Sequence, residues 1–235
     1  GELWHVYRLA TVTIPTNRPL QRIWMGERLF LTMDRKWDAV VDRIGVLRGQ
    51  RRPVLVGTRS VAASDNLSKR LTEAKIEHVV LNAKQDQEEA RIVAAGGEPG
   101  RVTVATNMAG RGTDIKVSRS VAQVGGLHVI ATERHDAIRI DRQLYGRTGR
   151  QGEPGSCETV LSLEDELLTA SYGSVARWVL QRLLISDRSI QGWLASVLVR
   201  RAQRSAERLH ARARRELLKH EDQLESTLAF SGRVE

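Results

Sequence analysis

Residues 102–114 read Val102-Thr103-Val104-Ala105-Thr106-Asn107-Met108-Ala109-Gly110-Arg111-Gly112-Thr113-Asp114. Five β-branched or apolar residues run straight into a glycine-arginine loop. A short run of this kind, bounded by turn residues, suits a strand buried on both faces. Glycine lets a backbone come close to a ligand, and arginine supplies a rigid, forked positive charge. A second loop of the same character follows at Gln143-Leu144-Tyr145-Gly146-Arg147-Thr148-Gly149-Arg150-Gln151-Gly152.

Outward from these loops the chain alternates. Strands are predicted at 54–58, 78–81, 127–131 and 158–163, besides the one at 102–106. Helices are predicted at 35–49, with Asp34 as its cap and Gly49 as its end, at 61–71 after Ser60, at 87–95 and at 136–145. Strands alternating with helices predict an α/β domain, a parallel sheet with helices on both faces. Ligands of such sheets gather at the carboxyl ends of the strands. Both glycine-arginine loops are expected on that side. Residues 1–20 read as an extended entry segment stopped by Pro15 and Pro19, and residues 21–168 as the α/β domain. Residues 169–235 read as a helical region. It holds a helix at 175–185 and one long helix over 190–230, whose apolar stripe is Leu194, Leu198, Ala202, Ala206, Leu209, Ala213, Leu217, Leu224 and Leu228.

Composition bounds the rest. Of 235 residues, 41% are hydrophobic and 28% charged, an ordinary balance for a globular protein. No apolar run approaches the roughly 20 residues that span a bilayer. Thirty-seven Lys and Arg against 28 acids leave +9, which suits nucleic acid, an anionic membrane or an acidic partner. Cys157 is the only cysteine, which excludes an internal disulfide and a zinc site built on several cysteines. Seven arginines lie between Arg200 and Arg215 with the single acid Glu207. They form either a solvated face or a docking surface. No aromatic residues are interleaved with them, which disfavours single-strand binding.

Arg147 and Arg150 stand three apart among glycines, so both guanidinium groups are expected to face one anion. An arginine at a nucleotide's terminal phosphate stabilises the charge of phosphoryl transfer and contributes roughly three to five orders of magnitude in rate. The competing reading pairs these arginines with local carboxylates such as Glu153. Asp114 can accept from a ribose hydroxyl or hold the arginines in place. Arg111 and Thr113 are further candidates for polar contacts, or else plain loop structure.

These residues resemble motifs five and six of superfamily-two helicases and translocases. More closely, the text resembles SecA, the ATPase motor of bacterial preprotein export. It does so through Val12-Thr13-Ile14-Pro15-Thr16-Asn17-Arg18-Pro19, Val54 to Thr58, Leu81-Asn82-Ala83-Lys84, Val102 to Asp114, Gly125 to Ile130, Thr132-Glu133-Arg134-His135, Arg139-Ile140-Asp141 and Gln143 to Gly155. The resemblance implies the second RecA-like nucleotide-binding domain followed by the start of a helical scaffold. It implies an ATP cleft shared with a first RecA-like domain, which holds the phosphates and magnesium. Arg150 matches the finger and Arg147 its partner. Gln143 is the glutamine of motif six, and Gly112, Thr113, Arg111 and Asp114 belong to motif five. Glu153 stands where the family usually has a nucleotide-contacting aspartate.

The sequence departs from the family at Gln85 and Asp86, where an aromatic residue and a histidine are usual, and at Tyr145, usually arginine. At the end, 215–222 keeps only a trace of the segment that leads to the family's helical hairpin. The implied partners are the first domain, a membrane translocon channel and a preprotein. Anionic lipid is a candidate for the arginine-rich helix, and nucleic acid is disfavoured. The implied location is cytoplasmic and peripheral at the inner membrane. The alternatives are the second half of a nucleic-acid helicase and a non-catalytic module that keeps the fold. The chain opens on Gly1, which favours an excised fragment.

No G-x-x-x-x-G-K-[ST] sequence occurs in the chain. The purified 235-residue chain is therefore expected to show no magnesium-dependent ATP hydrolysis. A turnover that Arg150→Ala abolishes would contradict this.

Overall fold

The computed structural model describes residue 4 and residues 8–81, 94–106, 114–173, 190–191 and 193–231. Six parallel strands form its centre: β1 (Arg22–Phe30), β2 (Val54–Thr58), β3 (Val79–Leu81), β4 (Val102–Thr106), β5 (Leu127–Ala131) and β6 (Gly155–Ser162). Their order is β3-β4-β2-β5-β6-β1, and a two-residue strand β7 (Ile190–Gln191) closes the β1 edge antiparallel. The parallel RecA-like sheet implied by the sequence is present. Every residue of β2, β5 and β6 is buried, as strands covered on both faces require.

Side chains alternate between two cores. Val54 and Val56 of β2 join Val104 and Ile130 under the helices α1 (Met33–Gly49) and α2 (Val61–Glu73), against Trp37, Val40, Ile44, Leu67 and Leu71. Leu55 points the other way, to Leu81, Leu127, Val129, Tyr145 and Cys157. The second face carries a short helix α3 (Arg119–Gln123) and the helix α4 (Ile138–Tyr145). A third cluster gathers Leu29, Leu161 and Leu163 with Leu167 and Leu168 of α5 (Glu166–Ser171). Ala195, Val199 and Ala202 of the long helix α6 (Trp193–Ser231) complete it.

Several expectations change. Residues 22–30 form a strand that periodicity hides, because Glu27 is buried in it and Gly26, at φ 96, marks a bulge in its register with β6. Thr32, not Asp34, caps α1 by accepting from the Arg35 backbone N–H at 3.4 Å, and Gln50 follows as the C-cap. The helix expected from Asp136 begins at Ile138, and the last strand of the expected set begins at Gly155. Among the described side chains of the α6 stripe, Ala202 is buried and Ala206 half-buried, while Leu209 and Leu217 are exposed, because the body of the sheet ends before them. Residues 8–21 have no regular structure apart from a bend. The predicted helices at 87–95 and 175–185 lie outside the described residues.

A polar chain crosses the sheet interior. Arg52 Nη2 donates to Ser156 Oγ at 2.6 Å, whose hydroxyl donates to His128 Nδ1 at 2.7 Å. His128 Nε2 donates in turn to Glu158 Oε1 at 2.9 Å, which also accepts from Arg43 Nε at 2.6 Å. Burial pushes the His128 imidazole below its ordinary value and keeps it neutral, although Glu158 opposes this. Burial pushes the Glu158 carboxyl up, but the His128 bond, the Arg28 charge and the Arg43 bond outweigh it and bring it from 4.5 down to about 2. The carboxylate therefore contributes stability fully above pH 4.5, and this is lost as pH falls through about 2. The difference corresponds to on the order of 3 kcal/mol. Urea midpoints measured from pH 7 to 2 are expected to fall steeply below pH 4.5 in the parent chain. Glu158→Gln is expected to start lower and fall less steeply; equal slopes would contradict the assignment.

Candidate functional site

The second glycine-arginine loop joins α4 to β6. Gly146 closes α4, Gly149 takes φ 68, and Arg150–Gly152 form one tight turn in which Gln151 also has positive φ. A Cβ on Gly149 would lie 2.6 Å from Cβ of Arg22, so only glycine lets the loop rest on the start of β1. Arg22 fastens the two together, donating from Nη1 to the carbonyls of Tyr145 at 2.9 Å and Thr148 at 3.4 Å. Thr148 Oγ1 donates to the Leu127 carbonyl at 2.6 Å, and Arg18 Nη1 to that of Gln151 at 3.2 Å.

Arg150 is held at two points. Its Nε donates to the Gly146 carbonyl at 2.8 Å, and its Nη1 meets Asp114 Oδ1 at 2.6 Å. The guanidinium is thus fixed while about a third of the side chain, 35%, stays open to solvent. In front of it lies an open groove of about 750 Å³ lined by Thr16, Asn17, Arg18, Arg22, Asp114 and the loop. Three arginines against one carboxylate make this groove positive, a surface suited to phosphate.

The groove opens at the amino ends of β6 and β1, not at the carboxyl ends where the sequence places it. The reason is connectivity: α4 runs back along the sheet from the carboxyl end of β5, so its far end delivers the loop to the start of β6. Of the predicted residues, Arg150 and Asp114 meet. Arg147 is half-buried in the same loop but does not line the groove, so the two arginines do not share it. Gln143 is exposed on α4, and Glu153 is half-buried just past the loop; neither lines the groove. Arg111, Gly112 and Thr113 lie outside the described residues. Arg18 and Arg22, which line the groove, carry only a weak signal in the sequence. Their signal is the Thr16-Asn17-Arg18-Pro19 turn, which sets arginines just before a strand. Cys157 offers no nucleophile: it is buried, and burial pushes its thiol up to about 11.

A second cluster lies on the other side of α4, at the carboxyl end of β5. Asp141 Oδ1 accepts from the His135 backbone N–H at 3.1 Å and from His135 Nδ1 at 2.7 Å. Its Oδ2 accepts from Arg134 at 3.0 Å and from Gln203 of α6 at 2.7 Å. Burial pushes the Asp141 carboxyl up, but His135, Arg134 and Gln203 reverse this and hold it below its ordinary value. Arg134 also pairs with the buried Glu27 and stacks its guanidinium over Trp24 and Tyr145.

The family described as the SecA P-loop domain matches residues 19–121 and 116–188. The chain belongs to that family. Protein translocase subunit SecA 2 of Nitrosospira multiformis is 52% identical over 235 residues, all of this chain and 35% of that protein. Protein translocase subunit SecA 2 of Bordetella avium is 49% identical over 99% of this chain and 35% of its own length. For the protein translocase subunit SecA of Bacteroides fragilis the figures are 49%, 94% and 20%. The chain thus spans about a third of the SecA 2 relatives and about a fifth of the longer one. Among solved structures, a chain of the complex of the E. coli DEAD-box protein SrmB with regulator of ribonuclease activity A overlays with a TM-score of 0.47. Its identity is 22% over 66% of this chain and 84% of that chain.

The Arg150–Asp114 pair is partly exposed, with 35% and 45% of the two side chains open to solvent, and pairs of this kind contribute about 0–1 kcal/mol to stability. A double-mutant cycle of Arg150→Ala and Asp114→Ala, read by urea unfolding, is expected to give a coupling below about 1 kcal/mol. A coupling of several kcal/mol would make the pair a structural strut and not a poised charge.

Proposed function

We propose that this chain is the second RecA-like half of a SecA-type ATPase that couples ATP hydrolysis to protein translocation. The observation that carries this reading is the seating of Arg150, held by Asp114 and the Gly146 carbonyl at the mouth of a positive groove, in a chain of the SecA family. A guanidinium fixed in advance stabilises charge that develops on a terminal phosphate without reorganising at the moment of reaction. Arg18 and Arg22 line the same groove and suit the rest of a phosphate chain. Arg147 supports the finger from within the loop. Gln143, Glu153 and the motif-five residues Arg111, Gly112 and Thr113 are assigned to nucleotide binding by the family resemblance alone.

The groove's one carboxylate among the described residues is Asp114, and it is engaged by Arg150. Magnesium is therefore assigned to the first RecA-like domain, whose residues complete the cleft around the phosphates. Magnesium supplies Lewis-acid neutralisation of the phosphate oxygens when bound. A membrane translocon channel and a preprotein are the partners that fit this activity, at the cytoplasmic side of the inner membrane. The arginine-rich face of α6 is a candidate for anionic headgroups.

With this chain joined to a first nucleotide-binding domain, Arg150→Ala is expected to lower kcat for ATP by about three orders of magnitude. Arg150→Lys is expected to recover little, because an ammonium lacks the fork. Steady-state phosphate release checks both. An unchanged kcat in Arg150→Ala would remove the finger role, and full rescue by lysine would reduce it to a point charge.

A further inference from the structure

Helix α4 is held at both ends, and the two holders differ. Its first turn has no cap of its own: Ala137 occupies the N-cap position and offers no side-chain oxygen. The oxygen comes from α6, where Glu207 Oε1 accepts the Ile138 N–H at 2.8 Å across 69 residues of chain. One turn earlier on α6, Gln203 is buried to 3% exposure and donates from Nε2 to both Asp141 Oδ2 at 2.7 Å and the His135 carbonyl at 2.8 Å. The last turn of α4 carries the arginine loop, where Arg150 Nε bonds the Gly146 carbonyl. Eight residues of helix, about 12 Å, separate the arm's grip from the finger's seat.

The arm itself extends far beyond this grip. From Gln203 to Ser231 runs about 42 Å of helix. Its described side chains are mostly exposed from Leu209 onward, so the far part is available to be pushed. Lifting Gln203 would strip a donor from a buried carboxylate and from a buried carbonyl, and lifting Glu207 would uncap α4. Buried polar groups do not tolerate partial separation, so the grip has two states, seated and unseated.

We propose that α6 sets the position of Arg150 through α4, with Gln203 and Glu207 as positioning residues for ATP hydrolysis. The proposal rests on the finger reading of Arg150. Force on the distal arm unseats the grip, releases the first turn of α4 and lets the loop at its other end withdraw from the phosphate. In the reverse direction, a phosphate bound at Arg150 holds α4 and favours the seated arm. The coupling enters between two sites on one rigid two-turn helix.

The test is a kinetic double-mutant cycle on this chain joined to a first nucleotide-binding domain. Gln203→Met keeps the volume and removes the bonds. It is expected to lower kcat about tenfold, with KM for ATP within about twofold, because a displaced finger costs transition-state stabilisation and not ground-state binding. In an Arg150→Ala background the same substitution is expected to change kcat by less than about twofold, since the residue through which it acts is gone. If Gln203→Met lowers kcat by the same factor in both backgrounds, the role is structural and the proposal fails. Glu207→Ala, at the half-exposed rim, serves where Gln203→Met does not fold, and the same pattern is expected of it. An unchanged kcat in the folded variants also overturns the proposal. If Arg150→Ala alone leaves kcat intact, the finger reading falls first and the coupling with it, an outcome distinct from additivity.

Discussion

The buried carboxylate of Asp141 is the constraint on which the upper half of the molecule depends. A charge taken out of water costs several kcal/mol unless its lone pairs are filled, and removing a partner costs nearly as much again. Here the donors are three residues from two places: His135 and Arg134 from the turn after β5, and Gln203 from α6. Arg134 carries the network on to Glu27 and so to β1. One ionised group therefore fixes the turn after β5, the start of α4, the bulged part of β1 and the root of the arm. The apolar clusters alone would let α6 slide; the fixed directions of these hydrogen bonds do not.

The parallel sheet then divides the labour between its two ends. Its amino end holds the groove with Arg18, Arg22 and Arg150, and its carboxyl end holds the Asp141 cluster and the arm. Helix α4 is the direct connection between them, and its short length keeps it stiff. The arginine loop is rigid because it is crowded. Gly149 lies against Arg22, Thr148 bonds Leu127, and Arg150 bonds back to Gly146. A preset charge of this kind suits catalysis better than a free arginine, whose ordering would cost side-chain entropy at each turnover.

The three central strands were legible because their residues are apolar on both faces, and runs such as Val54-Leu55-Val56 have no other stable home. Strand β1 was not legible: its inward face carries Glu27, whose partner Arg134 is over a hundred residues away, and Gly26 breaks the alternation. The end of the sheet that carries the second loop follows from connectivity: between the parallel strands β5 and β6 the helix α4 must return to the amino end, so the loop after it opens at the start of β6 and not at a carboxyl end. The pairing of Arg150 with Asp114 was one of two roles open to that aspartate, and geometry supplies it. Gln203 gave no signal at all, since a glutamine beside Ala202 reads as the polar flank of a stripe. Only the tertiary crossing with α4 makes it a core residue. Leu209 and Leu217 of the same stripe are exposed, because spacing shows a face without showing what covers it.

The account stands on Arg150 acting where charge develops and not where nucleotide merely rests. The most direct measurement compares, in this chain joined to a first nucleotide-binding domain, the affinity for ADP alone with that for ADP plus aluminium fluoride, a mimic of the transferring phosphoryl group. Arg150→Ala is expected to leave ADP affinity within about threefold while weakening the mimic by about a hundredfold or more. Equal losses for both ligands, or none for either, would contradict it.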